Sequence, residues 1–386
     1  MMINRVVLLV VDGLGVGATA DAAQYGDANA HTLSHLAELV GGLNLPTLES
    51  LGLGHVCEIQ GVRRMAQPIG CFGRAGFTAK GVDSLVGYWE LAGCHSEVEG
   101  GTFSDGYPPQ VVAALEQAFG GKVLCQKLLS GTAALREYGA SHLSTGSPIV
   151  WTDGRQTCHV AAHESVWNRE ELFQRSKETR KVLKDTWGIR RVVAHPLSGP
   201  PGELTFAPGR RDCSGEPPSL TMLDALNRAG QLLIGVGKVG DLFGGRGLTR
   251  SVLTATWNEA LDEVGNLFNK VPRGLIFAGV DLDAADAERS AASLHDFDRR
   301  LPGLLEQLRA GDLLILTSDH GRDPGKPHGV PTRECVPVLT TGPKLAEGVN
   351  LGLRATLADV GQTIVEALQG SSLEFGESFL DALRQG

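Results

Sequence analysis

The chain alternates short, uninterrupted apolar runs with longer stretches in which apolar positions recur at helical spacing. RVVLLVVD (5–12), QLLIGVG (231–237), GLIFAGVDLD (274–283) and DLLILTSDH (312–320) lack polar alternation, which predicts strands buried on both faces. Helix-compatible stretches lie between them, one beginning at Asp286. That order predicts an α/β fold with a largely parallel, doubly wound core sheet. Two Pro/Gly-rich stretches, EGGTFSDGYPP (99–109) and PLSGPPGELTFAPGRRDCSGEPP (196–218), break the pattern. Between them a smaller α/β alternation has apolar runs at 122–125, 148–151 and 190–194. Its clearest helix follows Asn168, an N-cap residue, with Glu171 at the capping-box position. The expected organisation is a core made of residues 1–99 and 217–386, carrying an inserted, smaller α/β cap domain at 100–216. Two such lobes enclose a cleft.

Composition narrows the partners. With 35 Lys and Arg against 44 Asp and Glu, the formal net charge of −9 opposes binding to nucleic acid. The run from Val6 to Val11 is far shorter than the ~20 residues that span a bilayer, and no cleavage-type small-residue motif follows it, so a cytoplasmic protein without a membrane partner is expected. The 7 cysteines are scattered and never spaced as CxxC, which argues against a zinc ribbon or disulfide framework and fits a reducing compartment. Glycine, 51 of 386 residues, implies many tight loops.

The predicted core strands end in acid: Asp12, then Asp281 and Asp283, then Asp319 followed by His320. The carboxyl ends of strands in an open parallel sheet face one crevice. Gathered carboxylates repel one another unless a cation intervenes, and a hard divalent ion with oxygen and imidazole ligands is the economical one. A single aspartate is equally well explained as a helix cap; three strand ends with an adjacent histidine favour metal. Ser84, in AKGVDSLVGYWELAG (79–93), reads by itself as a turn or cap serine. Beside such an acidic cluster it reads as a nucleophile activated by metal coordination. The Gly/Pro-rich loop DHGRDPGKPHGVPTRE (319–334) adds Asp323, His328 and Arg333, and ligands often sit on loops of this kind. Lys238, Arg210 and Arg246 are candidate cleft cations.

Longer motifs carry a resemblance: VVDGLGVGATADAAQYGDANAHTL (10–33), GLNLPTLESLGLG (42–54), GYWELAG (87–93), GSPIVWT (146–152), RRDCSGEPPSLTMLDALNRAG (210–230), VGKVGDLFGGRGLT (236–249), and LTSDHGRDP with TRECVPVL (316–324 and 332–339). Together, in order over almost the whole length, they resemble the phosphopentomutase branch of the alkaline phosphatase superfamily of metalloenzymes. The resemblance implies an alkaline-phosphatase-like core with an inserted cap, two Mn²⁺ ions, and a phosphorylated Ser or Thr that relays a phosphoryl group between two positions of a sugar, a small phosphorylated substrate. By position, Asp12, Ser84, Asp319 and His320 match the ligands of one ion, Ser84 standing where threonine is usual, and Asp283 matches the first ligand of the second. Glu288 and Pro331 stand where the branch has histidines, so a second site would draw on His328 or Asp323, and an oxygen-rich site with Glu288 would also suit Mg²⁺ or Ca²⁺. Near the nucleophile, Val82, Leu85, Val86 and Tyr88 depart from the branch. In the cap, Phe206 replaces a phosphate-binding arginine while Arg210 remains, and Asp153 replaces a serine that contacts substrate. These changes disfavour a doubly charged sugar phosphate. The expected function is phosphopentomutase-like phosphoryl transfer through Ser84, with Asp153, Arg210 and Lys238 binding substrate. The alternatives are a metal-dependent phosphatase or phosphotransferase for a different specialised metabolite, and a non-catalytic, metabolite-binding descendant.

Overall fold

A computed structural model of the chain describes residues 2–97, 100–326 and 329–384. Strands β1 (Arg5–Val11) and β2 (Cys71–Ala75) come first. They are followed by β3 (Leu124–Leu128), β4 (Ile149–Thr152), β5 (Thr157–His163), β6 (Arg191–Ser198), β7 (Thr205–Phe206) and β8 (Arg211–Cys213), then by β9 (Leu233–Val236), β10 (Arg250–Val252), β11 (Gly274–Val280), β12 (Asp312–Thr317), β13 (Val336–Thr341) and β14 (Asn350–Arg354). The first and last groups form an 8-stranded sheet in the order β10-β9-β11-β1-β12-β13-β2-β14. From β10 to β12 the pairing is parallel, whereas β13 runs antiparallel to both β12 and β2.

The apolar run of β1 serves both faces of this sheet. Val6, Leu8 and Val10 enter one core cluster, and Val7, Leu9 and Val11 enter another. The period of two sends successive side chains to opposite sides, and helices cover both. All four expected core strands are present, as β1, β9, β11 and β12. The pattern missed β2, β10, β13 and β14, which are short or broken by Gly73, Pro337 and Gly352 and therefore lack a continuous apolar run.

Strands β3 to β8 build a separate 6-stranded sheet. It has its own clusters, around Val111, Leu115, Val160 and Val192 on one side and Trp151, Ala161 and Leu197 on the other. The helix after Asn168 spans Arg169–Trp187, and the Asn168 side chain accepts from the Glu171 amide at 2.9 Å. The Glu171 carboxylate instead accepts from Arg175 one turn on, at 2.9 Å, so charge pairing at i, i+4 takes the place of the back-bond of a capping box. Asp286 caps the helix Ala287–Leu305 by accepting from the Arg289 amide at 2.8 Å. Among the described residues, no helix is long and apolar enough to cross a membrane.

Arg5 anchors the lower edge of the core sheet. Its side chain is buried, pairs with Asp312, and donates to the carbonyls of Phe268 and Val271. Removing one member of a buried pair strands the other without a partner. Asp312→Ala is expected to lower unfolding stability by about 3–5 kcal/mol, read from the urea midpoint.

Candidate active site

The sheet order sets the site. Strands β9, β11, β1 and β12 are neighbours, roughly 4.8 Å apart in a parallel sheet. Their carboxyl ends therefore line up Lys238, Asp281, Asp12 and the pair Asp319 and His320. The Lys238 ammonium is buried among them, donating to Asp12 Oδ2 at 2.5 Å and lying 2.6 Å from Asp281 Oδ1 and 3.7 Å from Asp319 Oδ2. Burial alone would favour the neutral amine, but Asp12, Asp281 and Asp319 outweigh it and raise the Lys238 pKa. The effect on Asp12 is reciprocal: burial pushes its carboxyl up, yet Arg322 and Lys238 hold it well below the usual range.

Ser84 opens the helix Ser84–Leu91, capped by Asp83, which accepts from the Val86 amide at 2.9 Å. The hydroxyl therefore lies at the positive end of the helix. Its Oγ is 3.2 Å from Asp12 Oδ2, 3.3 Å from His320 Nε2 and 3.3 Å from Lys238 Nζ. His320 Nδ1 lies 2.8 Å from the Gly321 carbonyl. A carbonyl only accepts, so Nδ1 carries the proton and Nε2 presents a lone pair to Ser84. The helix can come this close because residue 87 is glycine: a Cβ there would stand 2.0 Å from the Asp319 carbonyl oxygen.

This centre fits a divalent cation. Asp12, Asp319 and His320 offer ligand atoms within 4.8 Å of one another. Asp319 Oδ1 accepts from the Gly13 amide, but Oδ2 is buried without a hydrogen-bond partner. A buried acceptor left unpaired is costly, and a bare metal ion is small enough to reach an oxygen that water does not.

The other expected ligands are not gathered in this way. Asp283 lines the same cavity but is exposed, with Oδ1 accepting from the Ala285 amide at 3.1 Å. Glu288 is exposed on the first turn of its helix, where a carboxylate complements the macrodipole. Asp323 is occupied by His35 Nδ1, at 2.8 Å, and by the amides of His31 and Gly325. His328 lies outside the described residues. Pro331 is buried in the cavity wall.

The cavity between the two sheets measures about 890 Å³. From beside the smaller sheet, Arg210 donates to Asp281 at 3.1 Å and also to Asp212, which pairs with Arg191. Trp151 on β4 is the cross-strand partner of His159 on β5, and their rings stack 5.0 Å apart. His195 Nε2 lies 3.0 Å from His159 Nδ1, and Phe206 packs against His195. Burial depresses both histidines, His195 to about 3, so this wall is aromatic and uncharged at neutral pH. Sequence reading did not single out these histidines; their alternation with Trp151 on adjacent strands was the available signal. Arg322, also missed, reads in sequence as an ordinary solvated loop arginine, but it donates to Asp12. Arg246 faces elsewhere, bound to Asp224 and the Pro217 carbonyl.

Comparison with known proteins fits this geometry. A family model described as the Metalloenzyme superfamily matches residues 283–372. The phosphopentomutase of Caldanaerobacter subterraneus subsp. tengcongensis is 39% identical over 388 residues, covering 99% of this chain and 98% of that protein. The chain belongs to the phosphopentomutase family. The phosphopentomutase of Carboxydothermus hydrogenoformans is 40% identical, with 99% and 100% covered. Among solved structures, a Leishmania mexicana phosphoglycerate mutase aligns with a TM-score of 0.48 at 13% identity, covering 98% of this chain and 97% of that one. The chain is a metal-dependent phosphoryl-transfer enzyme of the phosphomutase type, on a mixed α/β fold with two sheets.

Two outcomes follow from the packing. Gly87→Ala must push the Ser84 helix off Asp319, and a displacement near 1 Å is expected to cost roughly a hundredfold in kcat/KM, measured alongside the thermal midpoint to show that the fold persists. Asp153 has its pKa raised from 3.8 to about 6, first by burial and then by the Asp83 carboxylate. The folded chain therefore holds this proton where the unfolded chain has released it, and stability falls as pH rises between those values. In urea titrations across that range, Asp153→Asn should show a shallower fall and greater stability at neutral pH than the parent.

Proposed function

We propose that Ser84 Oγ is the group phosphorylated during turnover and that it relays a phosphoryl group between O1 and O5 of a pentose phosphate. What supports this reading is the placement of one hydroxyl at a helix N-terminus, within 3.3 Å of Asp12, His320 and Lys238 together. Phospho-Ser84 donates its phosphoryl group to the free hydroxyl of the sugar monophosphate, giving a bisphosphate. The sugar turns around, and Ser84 Oγ recovers the other phosphoryl group. Lys238 stabilises charge on Oγ when it leaves and attacks, while Asp12 accepts the hydroxyl hydrogen bond and orients it. Asp12, Ser84, Asp319 and His320 would hold a Mn²⁺ ion, a mixed oxygen and imidazole set that Mg²⁺ would suit less well. Such an ion supplies Lewis-acid charge that lowers the pKa of a bound hydroxyl.

Residues 100–216 act as the cap in this reading. Arg210 and Asp153 meet the sugar or its distal phosphate from the cap, and Lys238 meets the transferring group from the core. The activity is expected in the cytoplasm.

Incubation of the purified protein with ribose 1,5-bisphosphate should place one phosphate on the Ser84 tryptic peptide, and the product should convert ribose 1-phosphate to ribose 5-phosphate. Ser84→Ala should abolish both, and Ser84→Thr should keep a measurable rate. Release of free phosphate in place of isomerised sugar would turn the assignment to a phosphatase; turnover by Ser84→Ala would end it.

A further inference from the structure

We propose that this centre works with a single divalent ion and that the Arg322 guanidinium supplies the positive charge a second ion would bring. The inference rests on the reading of Ser84 as the phosphoryl acceptor.

The first observation is the state of Asp12. One oxygen, Oδ2, meets Ser84 and Lys238, and the other, Oδ1, is taken by Arg322 Nη2. A carboxylate engaged by a guanidinium on one oxygen and an ammonium on the other has little capacity left to bridge two ions. The Arg322 side chain is laid over Gly13, where a Cβ would stand 2.9 Å from Arg322 Cβ and 3.6 Å from Nε. Gly13 also has φ +76°, a conformation side chains rarely adopt, so the backbone there is suited to let the arginine pass.

The second observation is the condition of the remaining donors among the described residues, which do not include His328. Asp283 and Glu288 are exposed, Asp323 is saturated by His35 and two amides, and Pro331 has no lone pair to give. These side chains do not fit a second ion as they stand.

The third observation is charge. Ion pairs run without a break from Arg322 to Asp12, Lys238, Asp281, Arg210, Asp212 and Arg191, with Asp319 joined through Lys238. The network holds four carboxylates and four cations and is neutral. Arg322 is one of those four cations, so at the Asp12 end of the network the protein itself supplies positive charge. Arg322 lines the cavity, and with Nη2 committed to Asp12 its planar fork still carries further N–H donors suited to equatorial phosphoryl oxygens.

The test is to strip the full-length protein of metal, titrate it with Mn²⁺, and count bound ions per chain by equilibrium dialysis with elemental analysis. Electron paramagnetic resonance reports whether ions are spin-coupled. One uncoupled ion per chain is expected, and the count should stay at one in Asp283→Asn. Arg322→Gln should lower kcat/KM on the order of a thousandfold, with partial recovery in Arg322→Lys, which keeps the charge and guards against a folding defect in the first variant. Entry of a second ion into Arg322→Gln but not the parent would support the substitution of guanidinium for metal. Two coupled ions in the parent, or full activity in Arg322→Gln, would overturn it. The ion count needs no substrate, so failure of Ser84 phosphorylation leaves this result separately readable.

Discussion

The site depends on one buried ammonium. Lys238 lies among Asp12, Asp281 and Asp319, each at the end of a different strand, and its side chain is only 4% exposed. Three carboxylates brought together by sheet pairing would repel one another, and the lysine offsets part of that repulsion. It leaves Asp319 Oδ2 without a hydrogen bond, so compensation is incomplete. That residual negative charge, beside His320 Nε2, would suit a divalent ion next to Ser84. The same ammonium lies 3.3 Å from the Ser84 hydroxyl.

The smaller sheet is tied to this cluster by Arg210, which donates to Asp281 on one side and to Asp212 on the other. The aromatic part of the cavity wall is uncharged: His159 and His195 share a hydrogen bond, and Trp151 and Phe206 pack on them. A cavity with ionic chemistry at one end and an uncharged aromatic wall at the other is suited to a charged group at the first and to contacts of shape and stacking at the second.

The gathering of ligands at the first ion site and their dispersal at the expected second one have a common origin. Asp12 and Asp281 follow directly on β1 and β11, and Asp319 follows β12 after Ser318, so sheet spacing governs their separation. Asp283 lies two residues farther out, past the strand end, and Glu288 belongs to the helix beyond it. Their positions follow loop and helix geometry, which the sheet constrains much less.

By itself the sequence determined the parts whose physics is local. Continuous Val, Leu and Ile runs specified β1, β9, β11 and β12, because a strand buried on both faces has no polar alternation. Asn168 and Asp286 specified helix starts, because their side chains satisfy free amides within three residues. The strand-end acids and Ser84 were legible as chemistry for the same reason, each standing where a local element stops. Only the tertiary structure decided which ends became neighbours. The order β9-β11-β1-β12 sets β1 between two strands from the far end of the chain, pairing Arg5 with Gly274 and Asp312, and no local pattern encodes it. It also decided that Asp323 serves His35, that Arg322 lies against Asp12, and that the cap histidines are neutral. Each of those outcomes depends on burial and on partners remote in the chain, and those exist only once the sheet has closed.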